Sequence, residues 1–201
     1  MKRKNSIVAL AAAASLGACV ISVEGNAPPP PAPAAPVEAA RLPIDLRRTT
    51  LIVRDMDRSL ALYRDALGME VQYDQILTSP NLGRAGSDGV NRSRLVLLRA
   101  NDSFIGMLGL WQFLDGPAEP PPQAPTFHAG DIVLLFNATD LEQRFPRVAA
   151  TPGVTVLGEP RPRTYPSATG DIQVMVSMLV DPDGHIVELN RLVSGGPARR
   201  E

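Results

Sequence analysis

Asp181-Pro182-Asp183-Gly184-His185-Ile186-Val187-Glu188-Leu189-Asn190 compresses a turn, a strand and one carboxylate into ten residues. Pro182 fixes φ, the Asp side chains bond nearby backbone, and Gly184 takes the positive φ that strains other residues, so Asp181 to Gly184 is expected to turn the chain. In the strand that follows, alternation puts Ile186, Glu188 and Asn190 on one face and Val187 and Leu189 on the other. One face is apolar and the other carries an acid. Taken alone, Glu188 reads either as a solvated residue of a half-exposed strand or as a site residue.

Upstream, Ile172 to Val180 is the partner strand of a closing hairpin. Its even residues, Ile172, Val174, Val176, Met178 and Val180, are uniformly apolar and are expected to face a helix. Its odd ones, Gln173, Met175, Ser177 and Leu179, are mixed, as a small-molecule cavity wall often is. Glu159 to Gly170 is Arg- and Pro-rich and reads as a loop. Before it come a strand at Gly153 to Leu157, a helix from Thr139 or Asp140 to about Ala149, and a strand at Ile132 to Asn137. Pro146 lacks the backbone N–H and is expected to shorten or kink that helix.

Asp115 to Thr126 holds five prolines and reads as a linker. Ahead of it the same plan appears. Arg48 to Arg54 alternates as a strand, with Thr49, Leu51 and Val53 on one face and Arg48, Thr50 and Ile52 on the other. Asp55 or Asp57 caps a helix in which Met56, Leu60, Tyr63 and Leu67 recur at helical spacing, and Gly68 ends it. Met69 to Thr78 is a strand, Ser79 to Asn91 a loop, and Arg92 to Arg99 and Phe104 to Phe113 two strands joined by a turn at Ala100 to Ser103. An offset of 83 residues overlays Leu51 on Leu134, Val53 on Phe136, Asp57 on Asp140 and Val71 on Val154. The expectation is an α+β fold of two βαβββ modules, about 44–114 and 128–193, whose curved mixed sheets carry one helix each on the convex face. The concave faces are left to enclose a cavity.

Ahead of the domain, Met1-Lys-Arg-Lys4 is basic and Ile7 to Ala14 apolar but too short to span a bilayer, so residues 1–18 read as a cleaved signal peptide. Leu16-Gly-Ala-Cys19 resembles the lipobox of bacterial lipoproteins, which makes Cys19 the lipidated residue. It is the chain's only cysteine, so no intrachain disulfide forms. Val20 after it favours the outer membrane by that sorting pattern, and Val20 to Leu42 reads as a Pro/Ala-rich tether within a 19–43 segment. Removing residues 1–18 takes three of the 20 basic residues and none of the 21 acidic ones. The remaining acidic chain lacks the electrostatic footprint of a nucleic-acid binder.

Thr50-Leu-Ile-Val-Arg-Asp-Met-Asp-Arg-Ser-Leu-Ala-Leu-Tyr-Arg-Asp-Ala-Leu-Gly-Met-Glu-Val71, paired with Asp181 to Glu188, resembles the vicinal oxygen chelate superfamily: glyoxalase I, fosfomycin- and bleomycin-resistance proteins and extradiol dioxygenases. The resemblance covers about residues 44–193. It implies a divalent metal held by His, Gln or Glu on the first and last strand of each module, in a cavity closed within one chain or across a homodimer. Here those places fall on Arg48, on Gly109 (or Met107), on Asp131 and on Glu188. An Arg does not ligate a cation and its charge repels one. The implied site is therefore metal-free, with Arg48 as counter-ion to Glu188 and Asp131; the alternative is a metal held by Asp131 and Glu188, with Glu188 the catalytic residue. His128 and His185 lie at odd offsets from Asp131 and Glu188, hence on opposite faces. Trp111 is expected to wall the cavity and Gly109 to open it, beside Thr50, Gln173 and Ser177.

These residues point to an envelope-anchored protein on the periplasmic face of the outer membrane that binds a small organic molecule, an anion included, without a cofactor. The alternative is a metal-dependent lyase, isomerase or dioxygenase. No Gly-rich phosphate loop and no Gly-x-Ser-x-Gly elbow occurs.

Overall fold

The computed structural model describes residues 43–80, 90–115 and 127–196. The expected signal peptide, the tether with Cys19, most of the loop after Thr78, the Pro-rich linker and the last five residues lie outside the described residues.

The first module runs β1 (Arg48–Ile52), α1 (Met56–Leu60), a π-helical continuation (Ala61–Ala66), β2 (Glu70–Pro80), β3 (Val90–Arg99) and β4 (Met107–Phe113). The second runs β5 (Val133–Asn137), α2 (Leu141–Ala149), β6 (Thr155–Tyr165), β7 (Ile172–Val180) and β8 (Ile186–Ser194). The sheets are ordered β1-β4-β3-β2 and β5-β8-β7-β6. In each, the first strand pairs in parallel with the last and the other pairs are antiparallel. The fold is α+β, two βαβββ modules built to one plan.

Local chemistry sets the helices. Asp55 is the N-cap, at φ −140°, and its carboxylate accepts from the backbone N–H groups of Asp57 and Arg58 at 3.0 and 3.2 Å. The helix then widens: Leu67 N–H donates to Leu62 O, five residues back, at 2.8 Å. Helix α2 follows Asp140, whose carboxylate is drawn to Arg144 at 2.7 Å instead of capping. It buries Leu141, Phe145 and Val148 and carries Pro146 in its interior through to Ala149.

Strand β6 corrects the expected loop at Glu159 to Gly170, since it runs unbroken to Tyr165. Pro160 and Pro162 cannot donate to a ladder, but β6 is an edge strand with one neighbour, where proline is tolerated.

Both helices cover one face of their sheets, and the buried residues form one cluster across the modules. Leu51, Val96, Leu98 and Leu110 meet Leu60, Leu62 and Tyr63, while Leu134, Leu179, Val187 and Leu189 meet Leu141, Phe145 and Val148. Each such aliphatic side chain, fully buried, stabilises the fold by roughly 1.5–3 kcal/mol. The Tyr63 and Phe136 rings, 6.2 Å apart, join the two halves.

The two faces of β7 are the reverse of the sequence expectation. Leu179 and Ser177 are buried and Met175 packs on the core, whereas Val174, Val176 and Met178 lie half-buried on the face away from α2. Ser177 is accommodated on the helix side because its hydroxyl donates to Leu189 O across the hairpin. A satisfied hydroxyl behaves as a small core residue.

Candidate functional site

The opening turn does not face a cavity; it docks the second module onto the first. Asp181 has a fully buried side chain. Its Oδ2 accepts from Tyr63 Oη at 2.9 Å and lies 2.9 Å from His185 Nδ1, and its Oδ1 accepts the N–H groups of Asp183 and His185 at 2.9 and 2.8 Å. Asp183 accepts from Arg54 N and Nε at 3.0 and 2.8 Å and from Ser59 Oγ at 3.1 Å, while Arg54 Nη2 donates to Pro182 O. Two carboxylates of one turn thus hold the strand end and helix of the other module.

The titration of this cluster follows from its geometry. Burial alone pulls the Asp181 carboxyl up, but the hydrogen bond and charge of His185, the backbone N–H and Tyr63 together hold it below the ordinary 3.8. Burial likewise pulls His185 down, and the hydrogen bond and charge of Asp181, with the charge of Asp183, override it and raise His185 above 6.5. Burial, then the charge and hydrogen bond of Asp181, push the Tyr63 phenol well up. A raised His185 contributes stability that is complete below 6.5 and is lost as pH climbs through its folded value; a depressed Asp181 contributes stability present above 3.8 and lost as pH falls through its folded value. The clasp is therefore strongest between those limits. The difference in melting temperature between the unmodified chain and His185→Gln is expected to shrink as pH rises past 6.5, read by thermal unfolding across a pH series. A difference that grows with pH contradicts the pairing.

The faces turned away from the helices are where a ligand has room. On the first sheet Thr50, Gly109, Leu95, Trp111 and Ser93 share that face, fixed by the pairs Thr50↔Gly109, Leu95↔Trp111 and Ser93↔Phe113. Gly109 does not open ligand space as expected. A Cβ there would sit 2.7 Å from Thr50 Oγ1 and 3.1 Å from Thr50 Cγ2, so the missing side chain is replaced by Thr50 itself. Gly109→Ala is expected to cost roughly 1–3 kcal/mol, as overpacking does. Adding Thr50→Ala should recover part of that in chemical denaturation, and no recovery contradicts the contact.

Register settles which residue mirrors Glu188. Thr50 pairs with Gly109 in β1–β4 and Leu135 pairs with Glu188 in β5–β8. Thr50 and Leu135 are each the third residue of the first strand of their module, and both strands end three residues before their helix caps, Asp55 and Asp140. Gly109, as the resemblance implies, therefore occupies the counterpart of the Glu188 place, and Trp111 that of Asn190, since Val53 N–H donates to Trp111 O as Ala138 N–H does to Asn190 O. The Trp111 ring lies 5.0 Å from that of Phe113. Trp111 Nε1 and Ser93 Oγ are buried with no hydrogen-bond partner among the described residues.

The other expected residues do not converge on Glu188. Glu188 is half-buried between Leu135 and Met178, and its Oε2 accepts from Asn190 Nδ2 at 3.1 Å. Arg48 is exposed and lines a groove of about 380 Å³ with Leu46, Gly106, Ile132 and Leu135. Asp131 precedes β5, and its carboxylate is held by the His128 N–H at 2.7 Å. The expected Arg48–Glu188–Asp131 ion pair is not formed: among the described residues Asp131 is bonded to His128 and Glu188 to Asn190. Gln173 is exposed at the end of β7 opposite Ser194, and Ser177 is in the helix-side core. His185 is engaged with Asp181 and stands off the Glu188 face.

The four ligand places implied by the resemblance thus hold Arg48, Gly109, Asp131 and Glu188. A glycine has no donor side chain and a guanidinium does not ligate a divalent cation, and a catalytic zinc takes three protein ligands. Among the described residues no three of His, Cys, Asp and Glu gather as a metal group. This donor set does not fit the metal.

Sequence reasoning missed Arg54, Ser59, Tyr63, Asp181 and Asp183 as a docking cluster. It also missed Arg161 and Arg163, which β6 brings to the same face as Glu188. The signal for the arginines was present as their two-residue spacing, masked by the prolines between them.

No family model and no curated protein sequence matches the chain. Solved structures do. A glyoxalase family protein from Bacillus cereus superposes with a TM-score of 0.59 at 15% identity, covering 78% of this chain and 99% of that one. The trypanothione-dependent glyoxalase I of Leishmania major gives 0.47 at 19% identity, over 74% and 86% of the two chains. An antibiotic binding protein from a Streptomyces species gives 0.47 at 20% identity, over 76% and 100%. By its strand order and by the Bacillus superposition, the chain has the paired βαβββ fold of the vicinal oxygen chelate superfamily.

Proposed function

We propose that this domain binds a small organic molecule on the helix-free faces of its sheets, without a complete metal site. The observation that carries this reading is Gly109 at the counterpart of Glu188, with no side chain where a carboxylate ligand would be required, beside the Trp111 ring, whose indole N–H has no partner among the described residues. An aromatic surface with a few placed hydrogen-bonding groups suits an organic ligand. Lipidation of Cys19 and the Pro/Ala-rich tether would hold the domain at the periplasmic face of the outer membrane. A thermal-shift screen of small organic molecules, run with EDTA and with added divalent metals, tests the reading, because a ligand of the native state raises its melting temperature. Stabilisation by compounds in EDTA supports it. Stabilisation that appears only with metal overturns it in favour of the metal-dependent enzyme built on Glu188 and Asp131.

A further inference from the structure

The helix-free face of the second sheet is a lattice of defined rungs. Glu188 lies beside Met178, and Met178 beside Gly158; Asn190 lies beside Val176, and Val176 beside Arg161; Val174 lies beside Arg163. The face therefore has an apolar row on β7, a carboxylate and a carboxamide on β8, and two guanidinium groups on β6. Gly158 leaves open space next to Met178, since a Cβ there would meet nothing within 4 Å. Both arginines are exposed.

Their lack of a carboxylate among the described residues separates them from most of the described cations. Arg54, Arg94, Arg144 and Arg191 each hold a carboxylate. Among the described residues Arg161 and Arg163 hold none, although Glu159 lies two residues from Arg161 in the bulge of the same strand and Asp171 in the turn to β7. Residues two apart on a strand are about 7 Å apart on one face, close enough for two guanidinium forks to share one oxyanion. Their strand lies two inter-strand spacings, about 10 Å, from that of Glu188 and Asn190.

We propose that this face binds an amphipathic organic anion. Its oxyanion head, a carboxylate or a phosphate ester, sits on Arg161 and Arg163. Its apolar body crosses Val174, Val176 and Met178, and its far end meets Glu188, which favours a hydrogen-bond donor there and is held by the buried Asn190. This rests on the reading that the domain binds a small organic molecule, and adds the ligand's charge and direction. Charge complementarity selects the occupant: the arginines attract an anion, while a cation approaching from the β6 side meets two like charges.

The test is calorimetric titration of the full chain with octanoate, octanol and octylamine. Octanoate is expected to bind, to weaken about tenfold or more in Arg161→Gln/Arg163→Gln, and to weaken with added salt. Octanol binding should be indifferent to both changes. Arg147→Gln, on the exposed side of α2, should leave octanoate binding as it was, and an unchanged unfolding midpoint in the double variant shows that the fold is intact. Octanoate affinity unaltered in the double variant, or octanoate binding no tighter than octanol or octylamine, overturns the proposal. If neutral compounds raise the melting temperature while octanoate does not bind, this inference falls and small-molecule binding stands. If no compound of any charge binds, both fall.

Discussion

Asp181→Ala is expected to lower the unfolding free energy by about 3–5 kcal/mol, the cost of breaking a buried charged pair by removing one partner. For a domain of this size that lowers the melting temperature by about 10 °C or more. The carboxylate is fully buried and accepts from the Tyr63 hydroxyl and two backbone N–H groups while facing His185 Nδ1. Its loss leaves those donors without an acceptor, each at about 1–3 kcal/mol. Tyr63→Phe removes only one hydrogen bond and should cost about 1 kcal/mol. The two changes share a contact, so the double variant should be less destabilised than their sum. Urea denaturation of the four proteins gives the cycle. A loss under 1 kcal/mol for Asp181→Ala contradicts the docking role and returns the turn to an ordinary surface hairpin.

Leu179→Ala is expected to cost about 2–5 kcal/mol, whereas Met178→Ala, its neighbour in sequence, should stay within about 1 kcal/mol. Leu179 is fully buried in the core cluster, and Met178 lies half-buried on the helix-free face beside Glu188. The pair tests the face assignment of β7 directly, since the sequence reading predicts the opposite order. Equal losses, or a larger one at Met178, would reverse the sheet and take the Arg161–Arg163 face with it.

That reversal shows what the chain's pattern does and does not encode. Alternation in β7 separates Val174, Val176 and Met178 from Met175, Ser177 and Leu179 without error, but both sets are largely apolar. Hydropathy then cannot decide which set meets the helix. The packed chain puts Met175, Ser177 and Leu179 on the core side, where Leu189 O satisfies the Ser177 hydroxyl. Register is hidden for a similar reason. Gly109 and Trp111 share parity, so alternation places either opposite β1, and only the pairing of Thr50 with Gly109 identifies the counterpart of Glu188. By contrast, the order βαβββ and the Asp55 cap are local signals, and the structure follows them, while the repeat aligns Asp55, not Asp57, with Asp140. The docking cluster joins Tyr63 to Asp181, 118 residues away, and Arg54 to Asp183, 129 residues away. No short-range periodicity reports such contacts.

Consequently the turn at Asp181 to Gly184 is legible as a turn, and its second role, holding two modules together, emerges only from the packed chain. Glu188 keeps its predicted face, with Asn190 rather than Arg48 or Asp131 for company.

The metal content of the purified full chain, after loading with iron, manganese, nickel or zinc and dialysis, tests the central claim most directly. With Arg48 and Gly109 at two of the four ligand places, the account predicts metal well below one ion per chain, indifferent to Glu188→Gln. One tightly held ion per chain, lost in Glu188→Gln, would contradict it.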